Sequence, residues 1–464
     1  MLFNSLTYFL FFLAFYSLHR LLPNSLQKIL IILGSLIFYS WWNPTYIWIP
    51  IVLIVISYYG TKIIVSVNKE YKKITLLITL ISLYLPLLIY KYLDFFYSDI
   101  AKPILNLPEK SFDYGIPLGI SFITFTLTTY ILDVFKKKFI KKVNLSNFIS
   151  YVLFFPQLIA GPILRPNELI PKLENFKKSK NNKFTFAISI FTIGLVKKVI
   201  FGDYIGSSVV DPIFKSNLYE FDGLTTLLSI YAFSVQIYCD FSGYMDMAIG
   251  SSLMLGIELP INFNSPYTSS SLIQFWRKWH ITLSNLLRDY LYIPLGGNRF
   301  GIFKQFRNVL FTMLIGGLWH GSSWNFIIWG LLHALGIIVN RFFEMTLDLK
   351  NNLLRPLKIF FTFNYVTFLW IFFRSKDLSQ AINIVKNIFY GSYTNYYIFL
   401  EKNIFILLLF IVFFFTHKFD NKEFIFDNIK KIRKELLMPF ILALWMLVIS
   451  FSQVSSGTFI YFDF

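Results

Sequence analysis

From Leu2 to Ser450 the chain is a succession of apolar runs close to the length that crosses a bilayer, joined by short connectors that carry lysine and arginine. A helix of roughly 20 apolar residues matches a hydrocarbon layer about 30 Å thick. In lipid every backbone N–H and C=O must pair internally, which leaves helices or closed barrels. The runs are too long and too little alternating for barrel strands. The chain therefore reads as an all-α, polytopic integral membrane protein, and its 56% hydrophobic and 20% aromatic content agree. No long polar interruption parts the runs, so residues 1–464 are read as a single membrane domain. The first run, Leu2 to Leu18, lacks a charged leading region and is followed by His19 and Arg20 where a cleavage site would need small residues. It is expected to remain as a span.

The formal charge of +18 does not indicate nucleic acid, because the cations sit in short loops and not along one face of a soluble module. It suits loops at an anionic leaflet and contact with membrane lipids. The single cysteine, Cys239, excludes an internal disulfide and any multi-cysteine metal site, so no metal is expected.

Three early runs, Leu2 to Leu18, Ile29 to Trp42 and Tyr46 to Val65, predict three helices, with the N-terminus and the Trp42-Asn43-Pro44 turn on the outer side. A fourth, Ile74 to Tyr90, is expected to lead into an outer loop from about Lys91 to Asp113. Ile116 to Phe135 returns inward to Lys136, Lys137 and Lys138. The next apolar run, broken by Pro156, Gly161, Pro162 and Pro166, is followed by a second basic cluster, Lys172 to Lys183. One full crossing cannot leave both clusters on the same side. Tyr151 to Leu164 is therefore expected to enter and turn back, with a Pro-kinked span as the alternative. Further helices are predicted at Phe184 to Phe201, Leu224 to Tyr238, Leu357 to Phe373, Ile404 to Phe415 and Met438 to Ser450.

The chemistry concentrates between Gln274 and Gly336, which holds His280, His320 and His333 of the five histidines. At about 100° per residue, Phe275, Trp276, Trp279, Leu283, Leu286, Leu287 and Tyr290 fall on one arc of roughly 120°. Arg277, His280, Ser284 and Arg288 fall on the reverse side, so one amphipathic interfacial helix is predicted, its polar face turned to water or a polar cavity. His320 lies between the apolar runs Leu310 to Leu318 and Phe326 to Val339, beside Trp319 and among Gly316, Gly317 and Gly321. An ionisable group at membrane depth is costly and a candidate for function. Small neighbours would let a substrate approach. Each of the three histidines has a packing role as its alternative, most of all His333. Asp240 and Asp246 are carboxylates in an apolar context that could pair with a histidine or arginine of this stretch, or form a structural salt bridge. No Walker loop, dinucleotide fingerprint, HExxH or GxSxG elbow occurs.

These residues carry a resemblance. MLFNSLTYFLFF at the start, FYSWWNP from Phe38, LGISFITFT from Leu118, FFPQLIAGPILRP from Phe154, QIYCDFSGYMDMAIG from Gln236, FWRKWHITLSNLLRDYLYIPLGGNR from Phe275, GGLWHG from Gly316 and FIYFDF from Phe459 together are similar to the membrane-bound O-acyltransferase family, in its alginate O-acetylase type. The resemblance implies about eleven membrane helices plus re-entrant and interfacial segments around a central tunnel. It implies His320 as the family's essential histidine and His280 as its second. Thr126 and Met245 depart from the residues often found there, glutamine and serine. On this reading His320 takes a proton from an acceptor hydroxyl that attacks an acyl thioester. His280 orients the acceptor or moves a proton, and Arg277 and Arg288 hold a phosphate, a carboxylate or lipid headgroups. Ser284, Trp319, Asp240 and Asp246 complete the expected substrate contacts. No bound cofactor is expected. The resemblance implies acetyl-CoA on the cytoplasmic side as donor, an extracytoplasmic SGNH-type acetyltransferase as partner, a multi-pass position in a bacterial cytoplasmic membrane and O-acetylation of an exported polysaccharide. Peptidoglycan O-acetylation and D-alanyl transfer to teichoic acid are the alternatives within the class; a transporter or flippase is the alternative outside it.

Overall fold

The computed structural model describes residues 1–112, 114–174, 176, 183–215, 221–346, 354–393, 396–452 and 459–460. Among these the regular structure is helical, with no strand. Among the described residues eight helices are long and apolar enough to cross a membrane, and Leu6–Leu21, Asn24–Ser40 and Ile120–Phe135 are shorter apolar helices. The chain packs as two compact units, Met1–Phe191 with Met247–Pro260, and Thr192–Asp246 with Ile261–Asp463.

In the first unit, α1 (Leu6–Leu21) starts where the Ser5 hydroxyl accepts from the Tyr8 N–H, an N-cap that satisfies one of the orphan donors of a helix start. Gln27 locks the turn to α2 (Gln27–Ser40), its Nε2 donating to the His19 and Leu22 carbonyls, both at 2.9 Å, while its Oε1 meets His19 Nδ1 at 2.5 Å. Helix α3 (Trp48–Ser66) packs on α4 (Lys72–Leu105) and α5 (Ile120–Phe135). The expected outer loop from Lys91 to Asp113 is not a loop over most of its length. Helix α4 runs on to Leu105 through π-helical turns at Leu88–Tyr92 and Phe96–Ala101. Pro86, two residues before the first, removes a backbone donor, and the helix rewinds instead of ending. Asp113 lies outside the described residues.

The segment expected to turn back breaks into α6 (Leu145–Leu153), α7 (Phe155–Leu158) and, after Pro166, α8 (Pro166–Glu174). Nine residues of α6 rise only about 14 Å, less than half a bilayer core. The Tyr151 hydroxyl donates to the Leu164 carbonyl at 2.8 Å, which closes the segment on itself. Phe148, Tyr151, Phe154 and Phe155 are completely buried. Irregular backbone is thus surrounded by protein, as depth in a bilayer requires. Thr126 faces a cavity of about 10 Å³ beside Gln157 and Gly161, room for roughly one water. Most of the Lys172 to Lys183 cluster lies outside the described residues.

The second unit is organised by α9 (Phe184–Lys215), whose later part belongs to it, and α10 (Gly223–Met254). A Cβ at Gly243 would lie 2.6 Å from the Gly194 carbonyl and 2.9 Å from the Lys198 nitrogen, so glycine there lets the two backbones touch. At this contact α9 forms the π-helical turn Lys197–Tyr204. Lys198 bridges Asp203 at 2.6 Å and Asp240, with all three side chains at most 4% exposed. Lys197 bridges Asp246 at 2.7 Å and Asp420 at 2.6 Å. Asp240 and Asp246 therefore pair with lysines of α9 and not with a histidine or arginine of the Gln274–Gly336 stretch.

The irregular segment 261–271 follows, then α11 (Leu272–Lys278), capped by Ser271, and α12 (Ile281–Leu287). The single amphipathic helix expected here is broken at His280, which takes a left-handed backbone with φ 43°. The cause is tertiary: Asn264 N–H donates to the Lys278 carbonyl at 3.0 Å and Ile281 N–H to the Asn262 carbonyl at 2.9 Å, replacing the bonds a continuous helix would make. Helices α13 (Ile302–His320) and α14 (Trp324–Thr346) form a tight hairpin, and α15 (Arg355–Arg374) packs beside α14. Beyond them come α16 (Leu378–Tyr390), α17 (Tyr396–His417), α18 (Lys422–Lys431) and α19 (Lys434–Ser452). Of the Phe459 to Phe464 motif, Phe459 and Ile460 are described, and the rest lies outside the described residues.

Candidate active site

His320 is the last residue of α13, which stops because Gly321 adopts an extended backbone with φ −160°. The hairpin places the ring within 5.1 Å of Trp329 on α14 and 5.2 Å of Phe373 on α15, each edge to face. Close packing of α13 on α14 comes from two glycines. A Cβ at Gly317 would fall 3.3 Å from the Gly330 Cα and closer still to the Phe326 carbonyl. His320 is 3% exposed, and one side of it opens on a cavity of about 120 Å³.

That cavity is walled by Trp276, Leu283, Leu287, Met313, Gly316, Trp329 and Ile337, with Ser284, Arg288, Tyr292 and Thr312 as its polar groups. An apolar chamber with a few convergent polar groups is the usual form of a small-molecule site. Ser284 Oγ donates to the Trp279 carbonyl at 3.1 Å, so its proton is spent and its lone pairs are what it offers the cavity. Arg288 is exposed at the surface and its Nε lies 2.7 Å from Asp289 Oδ1.

Of the residues singled out in the sequence, His320, Ser284 and Arg288 come together on this cavity. Trp319 lies between the two histidines, its ring centred 5.6 Å from that of His280 and 4.9 Å from that of His320. His280 is completely buried, not turned to a polar face, and is walled by Phe241 at 4.9 Å. Its Nδ1 is 3.3 Å from Asn262 Oδ1. His280 lies outside the spanning helices, and burial pushes its pKa down to about 3, which keeps the ring neutral. Arg277 is exposed and does not line the cavity. Nor do Asp240 and Asp246, which are held by Lys198 and Lys197. His333 sits completely buried in α14, its Nδ1 accepting from Trp276 Nε1 at 3.3 Å, the packing role that was its alternative.

Sequence reasoning passed over Trp276 and Met313 as walls and Asn262 as the neighbour of His280. Trp276 and Met313 carry helical apolar patterning that any packed helix would show. Asn262 is 18 positions from His280 and only the fold brings them together. Among the described residues no group of three histidine, cysteine or acidic side chains is placed to hold a metal.

A model of the membrane-bound O-acyltransferase family matches residues 35–376, which takes in both histidine segments. The chain is 38% identical over 418 residues to the peptidoglycan O-acetyltransferase of Helicobacter pylori, covering 81% of this chain and 76% of that one. It is 36% identical to the probable alginate O-acetylase AlgI of Azotobacter vinelandii, over 83% of this chain and 77% of that one. The teichoic acid D-alanyltransferase of Streptococcus thermophilus is 28% identical over 59% of this chain and 71% of its own length.

Proposed function

The chain belongs to the membrane-bound O-acyltransferase family, a multi-pass membrane enzyme of acyl transfer, and on that premise we propose that it moves acetyl groups across a bacterial cytoplasmic membrane for O-acetylation of an exported surface polysaccharide. The donor is a cytoplasmic acyl thioester, acetyl-CoA, and an extracytoplasmic SGNH-type acetyltransferase receives the acetyl group for the polymer. The observation that carries the reading is His320, buried at a helix end and open on one side to a small apolar cavity that also holds Ser284 and Arg288.

The chemistry follows from that placement. The imidazole takes the proton of the acceptor hydroxyl as its oxygen bonds to the thioester carbonyl carbon. The carbon–sulfur bond then breaks, and the departing thiolate recovers the proton from the imidazolium. The Ser284 lone pairs orient a hydroxyl donor. Arg288 at the surface attracts the phosphates of the donor. His280 assists from beyond Trp319.

A second acceptor is favoured by one observation: the Helicobacter pylori relative at 38% identity is a peptidoglycan O-acetyltransferase. D-Alanyl transfer has weaker support, at 28% identity over 59% of the chain. Mass spectrometry of surface polysaccharide and of muropeptides from a deletion strain, complemented with wild type or His320→Ala, tests the reading. Loss of O-acetyl esters from one of these polymers is expected in the deletion and in the variant, with polymer export intact. Unchanged acetylation with His320→Ala present at wild-type level would overturn the reading, and loss of export itself would point to a transporter.

A further inference from the structure

We propose that Asn262 sets the tautomer of His280, keeping the ring proton on Nδ1 so that Nε2 serves acyl transfer as a lone-pair acceptor. The inference rests on the reading above and deepens it, since it assigns a positioning residue and narrows what His280 does.

Asn262 Oδ1 lies 2.9 Å from the Thr282 backbone nitrogen, 3.0 Å from Thr282 Oγ1 and 3.3 Å from His280 Nδ1. A backbone N–H only donates, so the amide atom facing it must be the oxygen, and this fixes which way the side chain is turned. A carbonyl oxygen carries no proton. The His280 nitrogen that faces it must therefore be the donor, and in a neutral imidazole the other nitrogen is then bare. The opposite face of the amide is accounted for as well, because Nδ2 lies 3.6 Å from Met245 Sδ. Burial keeps the ring neutral, with its pKa pushed down to about 3, so the choice is between two tautomers and not between neutral and charged forms.

Asn262 also holds the backbone that aims the ring. Its carbonyl accepts the Ile281 N–H at 2.9 Å, directly after the left-handed φ of 43° at His280. A non-glycine residue there is strained, and such tertiary bonds offset the strain. Phe241 and Trp319 close on the ring at 4.9 and 5.6 Å, so it has little freedom to flip. The consequence is chemical. With the proton on Nδ1, Nε2 can accept a hydrogen bond and so orient a hydroxyl, but it cannot donate to a developing oxyanion.

The first arm of the test reads the tautomer directly in the wild-type protein. In detergent-purified wild type with ¹⁵N-labelled imidazoles, the His280 signal, assigned by its loss in His280→Gln, should show a protonated Nδ1 and a bare Nε2. The reverse tautomer would overturn the proposal outright. The second arm measures radiolabelled acetyl transfer in membranes. Asn262→Leu should lower kcat about 10- to 100-fold with KM for the thioester little changed, by analogy with the loss of a partner that orients a metal-bound imidazole. Asn262→Asp, which keeps an acceptor oxygen against Nδ1, should restore most of that loss. Full activity in Asn262→Leu, with His320→Ala inactive, would sink this inference alone. Transfer surviving in His320→Ala would sink the parent reading and leave the tautomer result standing.

Discussion

Lys198 offers the sharpest test of what the buried carboxylates do. It sits 2.6 Å from Asp203 and also bridges Asp240, with side chains 1%, 4% and 3% exposed respectively. Asp240 additionally accepts the Ile460 N–H at 2.8 Å. At an effective dielectric of about 20, attraction at such a separation is ~6 kcal/mol for a pair, and desolvation of each ion takes back several kcal/mol. The net worth of the intact cluster is therefore small. Breaking it is a different matter, because Lys198→Met keeps the volume and strands two buried carboxylates without a cation. The expected loss is about 3–5 kcal/mol. In the triple variant Lys198→Met, Asp203→Asn, Asp240→Asn no charge is left in this cluster, and stability should return to within ~2 kcal/mol of wild type. Denaturation in mixed detergent micelles followed by circular dichroism reads both. A Lys198→Met protein as stable as wild type would refute the account. The same proteins decide the role of Asp240: acetyl transfer per folded molecule should survive in the triple variant within about threefold. A far greater loss at wild-type stability would return Asp240 to the substrate.

Two further outcomes follow from the site. Gly317→Ala puts a methyl group onto the Phe326 carbonyl, so α13 and α14 must part; a loss of about 1–3 kcal/mol and slower transfer are expected, and a variant with unchanged melting temperature and rate would contradict the packing. Arg288→Ala should raise KM for the thioester several-fold and leave kcat within about twofold, whereas Arg277→Ala, outside the cavity, should change neither by more than about twofold; steady-state kinetics with the two effects reversed would reject the placement of the phosphate side.

The apolar runs made the helices legible because burial in lipid and backbone pairing act residue by residue along the chain. Leu357 to Phe373 became α15 almost to the residue, and the proline-broken run at Tyr151 to Leu164 became short helices closed by one hydroxyl. What escaped reading depends on partners far away in the chain. The projection from Gln274 to Tyr290 is a good amphipathic helix taken alone, yet the chain breaks it at His280 because Asn262 and Asn264 take over the backbone groups of Lys278 and Ile281. Lys197 and Lys198 were hidden inside an apolar run read as a plain span, so Asp240 and Asp246 were offered to the histidine stretch. Forty-two positions separate Lys198 from Asp240 and 49 separate Lys197 from Asp246, and only the glycine contact between α9 and α10 makes those pairs geometrically possible. The division has a chemical reason. His320 was visible because glycine and tryptophan flank it in sequence, although Trp329 and Phe373, which also wall it, come from other helices, whereas the environment of His280 is assembled from Phe241, Asn262 and Trp319, three separate stretches. A candidate group flagged by its immediate sequence neighbours can be read from a sequence. One whose tautomer is set from a distance has to be found in the fold, and Asn262 is the residue on which that difference is now open to measurement.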